Sequence, residues 1–490
     1  MTGMDTIVVL DFDSQASRLL ARRVREAKVF SEILPAETPP EKLKALAPRG
    51  IILPGEAGRS DDPAAPKYHP EIFHLGIPVL AIGYGMGLLA REFGGAVTGA
   101  AGREEAAPTP EGAPAHTMES LAIKEEKPLF SRLPAGAEVW MSWGDRVKEA
   151  PPGFVVLAAT ANTPVAAVGN HERRLYGLQL APGVFRTPAG FTILENFLFQ
   201  LCGCRPSWTT GAFIDRTISW IKEEVGDGRV LCALSGGVDS AVSAVLAHRA
   251  IGSQLTCVFV DHGLLRKGEA AEVQRVFAEK FRLNLVAVDA AERFLRRLRG
   301  VVDPEEKRRV VGEEFIRVFE EEARKLGKID FLLQGTLYPD VIESMAAGGQ
   351  PVKVKSHHNV GGLPADLQFK LLEPLRLLFK DEVRAVGQEL GLPEEVIWRQ
   401  PFPGPGLAVR VIGEVTPERL ALLREADSIV NQELAAAGWS RKLWQSFTIL
   451  TGEKSTGMTD GQRTYESVLV LRAVTSEDAM TADWARLPYE

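Results

Sequence analysis

The sequence has little cysteine, no long apolar run and no basic leader. Its 490 residues include four cysteines, too few for the disulfide framework that stabilises small secreted domains. Cys232 and Cys257 lie in apolar, strand-like segments, where we expect buried free thiols, and Cys202 and Cys204 have no nearby histidines to complete a zinc site. No segment reaches the roughly 18 apolar residues of a membrane span, and the chain runs straight into the apolar segment at Ile7. These absences predict a cytoplasmic protein with no membrane partner.

Length and charge narrow the class further. A chain of 490 residues, 45% of them apolar, is long enough for two or three domains with separate cores. The formal net charge of −7 gives the surface no overall attraction for nucleic acid, so we expect no nucleic-acid partner.

One short glycine-containing segment carries the clearest chemical signal. It follows an apolar run at 229–234, precedes an apolar-periodic run at 241–250, and reads Ser235-Gly236-Gly237-Val238-Asp239-Ser240. Two glycines let the backbone approach a phosphate, and the amides at the start of the following helix point outward to bind it. Because the segment lacks the lysine of the Walker A pattern, it predicts a pyrophosphate-binding loop. A solvent-exposed turn is the alternative.

Apolar periodicity predicts an α/β fold, with a first parallel sheet covered on both faces by helices. Three short strands are predicted at 6–11, 50–53 and 78–82, with a helix at 15–27 between the first two. Two later strands are predicted at 139–142 and 154–158, and a linker at 201–207 closes the unit.

A second α/β unit follows the linker, and a smaller α+β unit follows that. The second sheet is predicted from four strands, at 229–234, 255–261, 283–289 and 330–335, with helices such as 269–281 between them. Polar residues at its strand ends are typical of ligand sites in open parallel sheets. Residues 338–367 show little periodicity and predict a long mobile loop over that site. The small unit is predicted from a helix at 417–437 and strands at 446–450 and 467–472.

Longer motifs resemble those of the GMP synthetase family, in the family's own order. Five segments carry the resemblance, at 260–267, 334–344, 355–364, 373–384 and 400–410. The resemblance runs from about residue 5 to the last residue. It implies three regions: a class I glutamine amidotransferase-like domain at 1–203, an ATP pyrophosphatase domain of the adenine nucleotide alpha hydrolase-like type at 207–400, and a truncated C-terminal, dimerisation-like domain at 401–490.

In the first domain the resemblance implies that a glutaminase has been lost. Enzymes of this class place a Cys at a strand-to-helix elbow, where a His and a Glu activate it to attack the side-chain amide of glutamine. The elbow here reads Ala-Ile-Gly-Tyr-Gly-Met-Gly, with Gly83 at the nucleophile position, and the His-Pro-Glu segment reads Ala181-Pro-Gly183. We therefore expect an inert domain with a structural or docking role. The remaining histidines of this half adjoin no recognisable Ser or Cys elbow: His69, His74, His116 and His171.

In the second domain the resemblance implies an intact site for ATP and Mg²⁺. Adenylation requires neutralisation of a triphosphate and alignment of the acceptor, which positioning and electrostatics supply. Residues 235–240 and Asp261 are expected to bind ATP, and Asp239 also to hold Mg²⁺, which binds through one or two carboxylates plus substrate phosphates. Lys355 and Lys380 are candidate catalytic cations by their matched motifs, whereas either lysine alone would indicate a solvated surface charge.

The acceptor that the resemblance implies is a purine nucleotide similar to xanthosine monophosphate. Its C2 oxygen attacks ATP, and ammonia displaces the adenylate to give GMP, AMP and pyrophosphate. The positions expected to bind it are Arg308, Arg309, His357, His358, Asn359, Gln400, Pro403 and Gly404. A metal pair at His357 and His358 is disfavoured because adjacent side chains point apart and no third ligand follows.

Two departures from the family pattern bear on the substrate. The segment 457–465 moves its Asp one place relative to Arg463, and the sequence stops before the family's final segment. From these we expect weaker binding of the nucleotide phosphate and a homodimer that is possible but weakened.

The leading function is ATP-dependent amination of a purine nucleotide by ammonia, either free or from a separate donor. One alternative keeps this chemistry but changes the purine acceptor, as the two departures suggest. The other alternative is a non-catalytic, nucleotide-binding regulator. The retained loop, Lys355 and Lys380 argue against it, because a scaffold has no need of a complete phosphate loop.

Overall fold

A computed structural model of the chain describes residues 4–55, 65–98, 117–142, 146–346, 369–476 and 482–489. The chain divides into two compact units, Met1–Ala212 and Phe213–Glu490. The predicted regions 207–400 and 401–490 therefore fall almost entirely within the second unit. None of the described helices combines the length and apolar character needed to cross a membrane.

The first unit alternates strands and helices as far as α3, and most of its later elements are strands. Its elements are β1 (Thr6–Asp11), α1 (Ser14–Glu26), β2 (Phe30–Pro35), α2 (Pro40–Leu46), β3 (Gly50–Gly55), β4 (Val79–Gly83), α3 (Tyr84–Glu92), β5 (Ala96–Thr98), β6 (Thr117–Ser120), β7 (Ala122–Ile123), β8 (Glu138–Met141), β9 (Arg146–Glu149), β10 (Val155–Ala159), β11 (Ala167–Asn170), β12 (Leu175–Leu178) and α4 (Pro188–Asn196).

The main sheet of this unit is mixed, with the order β2-β1-β3-β4-β12-β11-β10-β7. The first five strands are parallel, and β11, β10 and β7 add in antiparallel fashion. The sheet is thus rich in parallel strands, as predicted, but its last three strands are antiparallel. The reason is connection length: β11 and β12 are joined by a short turn, whereas parallel neighbours need a crossover of about a dozen residues or more.

Helix α1 forms where the sequence predicts it. The Asp13 side chain accepts hydrogen bonds from the amides of Gln15 and Ala16 and so caps the first turn. Apolar side chains on one face of the helix, including Leu20 and Val24, are buried against the sheet.

The second unit begins as a strand–helix alternation and ends in an antiparallel hairpin. Its elements, from residue 210 onward, are α5 (Thr210–Val225), β13 (Val230–Ala233), α6 (Val238–Ile251), β14 (Leu255–Asp261), α7 (Glu269–Gln274), β15 (Leu285–Asp289), α8 (Ala291–Leu298), α9 (Pro304–Lys325), β16 (Phe331–Leu333), α10 (Tyr338–Ala346), β17 (Lys370–Leu372), α11 (Lys380–Glu389), α12 (Glu394–Ile397), α13 (Pro417–Ala436), β18 (Gln445–Thr459), β19 (Gln462–Ser476) and β20 (Ala482–Trp484).

The sheet of this unit has the order β15-β14-β13-β16-β17, with every pair parallel. All four strands predicted here are confirmed to within two residues at each end. The chain moves from β13 to β14 on one side and later returns to β16 on the other, so the strand order reverses at β13. Ligands of open α/β sheets bind outside the carboxyl ends of the strands at such a point.

The prediction of a long loop at 338–367 was wrong at its start, because the segment begins with helix α10. The Asp340 carboxylate accepts the amide hydrogen of Leu337 at 2.9 Å, which stabilises the first turn. Residues 347–368 lie outside the described residues.

The last strands form a long hairpin, in which β18 and β19 span 15 residues each. The predicted strands at 446–450 and 467–472 lie within these longer strands. Asp460 and Gly461, with φ values of 50° and 76°, make the two-residue turn between Thr459 and Gln462. The shifted Asp of the segment 457–465 is thus a turn residue at the hairpin end.

Candidate active site

The predicted phosphate loop connects β13 to α6. Gly236 has a φ of +76°, and a Cβ at this position would lie 2.9 Å from Nη1 of Arg399, so both conformation and space require glycine. Ser235 Oγ lies 3.0 Å from Ser240 Oγ and accepts the amide hydrogen of Gly237 at 3.3 Å. Since the N-cap residue of α6 is Gly237, the first amides of the helix have no side-chain cap and can bind an anion.

Asp239 and Lys380, two predicted catalytic residues, are in contact. Lys380 Nζ donates to both carboxylate oxygens of Asp239, at 2.7 and 2.6 Å. Asp239 is the second residue of α6 and Lys380 is the first of α11, so two helix beginnings meet beside the loop. The side chain of Lys380 is 42% exposed, and that of Asp239 is 31% exposed. The pair is therefore accessible to a ligand, and the helix ends and the ammonium attract anions.

Arg399 fixes the loop from a distant part of the chain. Its Nη1 donates to the carbonyl oxygen of Gly236 at 2.8 Å and to Glu269 Oε1 at 3.0 Å. Hydrogen bonds from a charged donor are roughly twice as strong as neutral ones, so this contact holds the glycine turn firmly. Neither Arg399 nor Glu269 was predicted from the sequence. The available signal was that Arg399 immediately precedes the motif that begins at Gln400.

Asp261 ends β14, the strand beside β13, as predicted. Its Oδ1 accepts the amide hydrogen of Gly263 at 2.9 Å. The next residue, His262, is buried, and its Nδ1 accepts the amide hydrogen of Leu264 at 3.1 Å. Burial lowers the pKa of His262 to about 4, so the imidazole is neutral at physiological pH and serves the turn rather than a negative ligand.

Gln400, Pro403 and Gly404 lie along a turn beside a cavity of about 260 Å³, which Gln400 lines together with residues that include Arg399. Gln400 Oε1 accepts hydrogen bonds from the backbone N and the Oγ of Ser446, at 2.7 and 3.1 Å, and so anchors the turn to β18. Pro403 O accepts the amide hydrogen of Gly406 at 2.8 Å. A Cβ at Gly404 would meet no atom within 4 Å, which leaves open space beside this backbone.

Arg308 and Arg309 lie near the start of α9 and are paired with carboxylates of their own helix. Arg308 Nε is 3.3 Å from Glu305, and Arg309 Nη1 is 2.7 Å from Glu313. Exposed pairs of this kind contribute little to stability, so both guanidinium groups can exchange these partners for a ligand.

Lys307, the residue before this pair, is buried and was not predicted. Its Nζ donates to the carbonyl oxygens of Ala408, Val411 and Gly413, at 3.2, 2.7 and 2.6 Å. Burial, with repulsion from Arg419, lowers the pKa of Lys307 to about 8. This lysine connects the beginning of α9 to the chain that follows the Gln400 turn.

The buried side chain of Arg410 packs against Phe402 of the same turn. This side chain is 2% exposed, with the guanidinium carbon 4.8 Å from the ring centre of Phe402 and 4.2 Å from that of Phe447. Its closest carboxylate oxygen is Oδ1 of Asp427, at 3.7 Å from Nη1. Burial lowers the pKa of Arg410 to about 10, and the guanidinium remains charged at neutral pH. Cation–π contacts therefore carry much of its interaction with the core.

In the first unit, Gly83 lies at the turn from β4 into α3, with φ +57° and ψ −111°. Nucleophile elbows are sharp, strained strand-to-helix turns of this kind. A Cβ at Gly83 would lie 2.2 Å from the carbonyl oxygen of Gly55 and 3.3 Å from Ser142 Oγ. The backbone thus has an elbow at the predicted position, with glycine at its corner.

Ala181 and Gly183 also lack side chains that could activate a nucleophile. Ala181 is buried, and its amide donates to Trp140 O at 2.8 Å. A Cβ at Gly183 would lie 3.1 Å from Cε3 of Trp140, so the indole ring takes the space beside it. His171 cannot take the role of the base, because it lies near the other end of β4. It precedes β12, whose first residue, Leu175, pairs with the first residue of β4, whereas Gly83 is the last residue of β4.

Lys355, His357, His358 and Asn359 lie outside the described residues, and their roles stay predictions. Within the described residues, no group of three or more His, Cys, Asp or Glu side chains could hold a metal ion. A single carboxylate beside a phosphate loop still fits Mg²⁺, which takes much of its coordination from substrate phosphates and water. Asp239 is that carboxylate.

Three family models match separate parts of the chain. Residues 8–201 match the glutamine amidotransferase class-I model, 213–313 match the NAD synthase model, and 432–490 match the GMP synthase C-terminal domain model.

Full-length relatives cover nearly all of the chain. It is 56% identical over 484 residues to a protein of Carboxydothermus hydrogenoformans, which covers 99% of this chain and 92% of the relative. A Thermomicrobium roseum protein is 56% identical over 490 residues, covering 100% of this chain and 90% of the relative. A Symbiobacterium thermophilum protein is 55% identical over 488 residues, covering 99% of this chain and 92% of the relative. All three are named GMP synthase [glutamine-hydrolyzing]. With an amidotransferase-type sheet, a phosphate loop at the reversal point of a parallel sheet, and relatives of this identity along its length, the chain belongs to the GMP synthase family.

Proposed function

We propose that this chain is an ATP-dependent GMP synthase that aminates xanthosine monophosphate with free ammonia and does not hydrolyse glutamine. The observation that carries the proposal is the contrast between the two units. The second unit brings Asp239, Lys380 and the glycine loop together, whereas the elbow of the first unit has glycine where a nucleophile is required. The relatives named above are called glutamine-hydrolyzing, so the proposal sets this chain apart from them in its amine donor.

In the proposed adenylation, the loop binds the β and γ phosphates of ATP. The uncapped amides of α6 and the hydroxyls of Ser235 and Ser240 would receive the departing pyrophosphate. Lys380 would move from Asp239 towards the phosphates and stabilise the charge that develops on the leaving group. Mg²⁺, when bound through Asp239, would neutralise phosphate charge.

The nucleotide acceptor would lie between the loop and the Gln400 turn. Arg308 and Arg309 are candidates to bind its phosphate, since guanidinium groups match phosphate oxygens in pairs. Open backbone at Gly404 and the cavity of about 260 Å³ beside Gln400 leave room for part of the ligand. The C2 oxygen of the purine would attack the α phosphorus, and the P–O bond to pyrophosphate would break.

In the second step ammonia would add to the adenylated carbon and AMP would leave. The attacking species must be NH₃, because ammonium has no lone pair. The first unit offers no side chain at positions 83 or 183 and a methyl group at 181, so glutamine would supply no ammonia. A separate protein that releases ammonia is compatible with this scheme.

Identification of the products of ATP cleavage tests the adenylation. Full-length protein with xanthosine monophosphate, ATP, Mg²⁺ and ammonium chloride should form GMP, AMP and pyrophosphate in equal amounts. ADP and phosphate would contradict cleavage between the α and β phosphates. AMP formed only with another purine would replace the acceptor, and ATP binding without any cleavage would favour a regulator.

A further inference from the structure

The first unit contains a cavity of its own, at the end of its sheet opposite the elbow. It has a volume of about 580 Å³ and is lined by residues that include Asp5, Arg49, Pro78 and Arg174. These residues immediately precede β1, β3, β4 and β12, whereas Gly83 is the last residue of β4. The volume lies within the roughly 300–1,000 Å³ typical of small-molecule sites. The cavity is therefore separate from the lost glutaminase position.

Its lining is strongly positive, although the chain as a whole is acidic. Three arginines, Arg49, Arg174 and Arg205, face a single carboxylate, that of Asp5, which leaves an excess of two positive charges. The formal charge of the whole chain is −7. Such a local concentration of one sign raises the local concentration of ligands of the other sign.

Asp5 orders two of the arginines but can neutralise only one. Its buried carboxylate accepts from Arg49 Nε at 2.8 Å and from the backbone N of Arg205 at 2.9 Å, and Arg205 Nε lies 3.6 Å away. Burial opposes ionisation, but these bonds together lower the pKa of Asp5, which keeps it charged. The Arg49 and Arg205 side chains are 52% and 80% exposed and so can reach a ligand.

The third arginine is held in place by its backbone and by a carbonyl group. Arg174 has a φ of +57°, and Ala47, which also lines the cavity, has a φ of +46°. Left-handed conformations are unfavourable for residues other than glycine and often occur at ligand sites. The guanidinium of Arg174 donates to the carbonyl oxygen of Gly76, which directs the side chain along the cavity wall.

We propose that this cavity binds a small phosphorylated molecule through a phosphate or diphosphate group. Two uncompensated guanidinium groups match a dianion, and their forked donors fit phosphate oxygens in pairs. The site is independent of the ammonia-dependent synthesis proposed above, because all its residues belong to the first unit.

Hydrogen exchange of the full-length protein with pyrophosphate as the probe tests the site. We expect slower amide exchange in peptides that contain 46–49, 76–78 and 174–176, with a saturable dependence on pyrophosphate concentration. Protection of the loop 235–240 is recorded in the same spectra as a separate signal, so failure of one site does not obscure the other. A parallel titration with GMP in place of pyrophosphate distinguishes a nucleotide site from a site for diphosphate alone.

The double variant Arg49→Gln/Arg174→Gln should bind pyrophosphate at this cavity at least about tenfold more weakly, because each removes a charge-assisted contact. The matched control is Arg132→Gln, which removes an equally exposed arginine paired with Glu195 elsewhere in the unit. Unchanged exchange at the remaining core strands shows that the double variant is folded, and Arg49→Lys provides a milder test if it is not. Absence of protection in the wild type at millimolar pyrophosphate, or equal affinity in the variants, would overturn the proposal.

Discussion

At the elbow of the first unit, the backbone itself favours glycine. The φ of +57° at Gly83 is unfavourable for any side chain, and the carbonyl oxygen of Gly55 occupies the place of a Cβ. A cysteine at this position would need Gly55 to move, as well as a base and an orienting carboxylate that are absent at 181 and 183. The packing around Gly83 therefore leaves no space for a side chain unless Gly55 moves.

Gly83→Cys should restore no glutaminase activity and should destabilise the protein. We expect the free energy of unfolding to fall by about 1–3 kcal/mol, since left-handed strain and the contact with Gly55 act together. Glutamate release and denaturant unfolding are the measurements.

Gly76→Ala is the control for strain alone. Gly76 has a φ of +71° but open space around a Cβ, so this variant should lose less stability than Gly83→Ala. Equal losses would mean that the contact with Gly55 has no energetic weight.

The Asp239–Lys380 pair is the residue-scale test of the synthetase site. Lys380→Met should reduce kcat by about 100-fold or more, because one preorganised donor to a developing charge typically contributes that much. Asp239→Asn should also abolish most turnover while the protein remains folded. Steady-state rates of AMP formation measure both effects.

Lys325→Met is the control, since it removes the same charge at the last residue of α9, where Lys325 pairs with Glu322. Its rate should equal that of the wild type. Near-normal turnover in Lys380→Met would remove this lysine from the proposed mechanism.

At the scale of elements, a buried lysine and a half-buried arginine hold together segments that are far apart in sequence. Lys307 ties the first turns of α9 to residues 408–413, and Arg399 ties the chain before the Gln400 turn to the glycine loop. These contacts hold the start of α9, which carries the exposed Arg308 and Arg309, and the Gln400 turn in fixed positions. We expect their loss to affect nucleotide binding more than the chemical step.

Lys307→Met should lower the free energy of unfolding by about 1–3 kcal/mol, since it leaves three buried carbonyl groups without their donor. The KM for the nucleotide should rise while kcat changes less. Lys325→Met again serves as the control, and a variant with normal KM and reduced kcat would contradict a positioning role.

His262 makes stability depend on pH at the end of β14. Its pKa in the folded protein is about 4, below the ordinary value of 6.5, so the unfolded chain binds more protons between these values. Stability should therefore be complete above about pH 6.5 and decline as the pH falls towards 4, by up to about 3 kcal/mol. Unfolding free energies across this range measure the decline. His262→Gln should flatten the curve relative to the wild type, and parallel curves would contradict the assignment.

The sequence predicted the elements whose signals are local. The loop 235–240 and its flanking strand and helix follow from six consecutive residues and the apolar runs beside them. The contact between Arg399 and Gly236 joins residues 163 positions apart, and no local pattern encodes such a pairing. The antiparallel direction of strands in the first sheet was not predicted, because apolar alternation indicates a strand but not its direction. Helix α10 was missed because glycine, proline and polar residues dominate the segment that follows it.

At the scale of the whole molecule, the two units differ in what they retain. The first has a mixed sheet, a packed core and an elbow with glycine at its corner. The second keeps a parallel sheet whose reversal point carries an ordered phosphate loop. The first unit thus has a strand-to-helix elbow with glycine at its corner, whereas the second presents uncapped helix amides and two serine hydroxyls at its glycine loop.

The amine donor tests the central claim most directly. GMP formation by the purified full-length protein is measured with xanthosine monophosphate, ATP and Mg²⁺, once with ammonium chloride and once with glutamine, over a pH series. We predict synthesis with ammonium chloride that accelerates as rising pH converts ammonium to NH₃, and none with glutamine above a control without any donor. Glutamine-dependent GMP formation accompanied by release of glutamate would contradict the account.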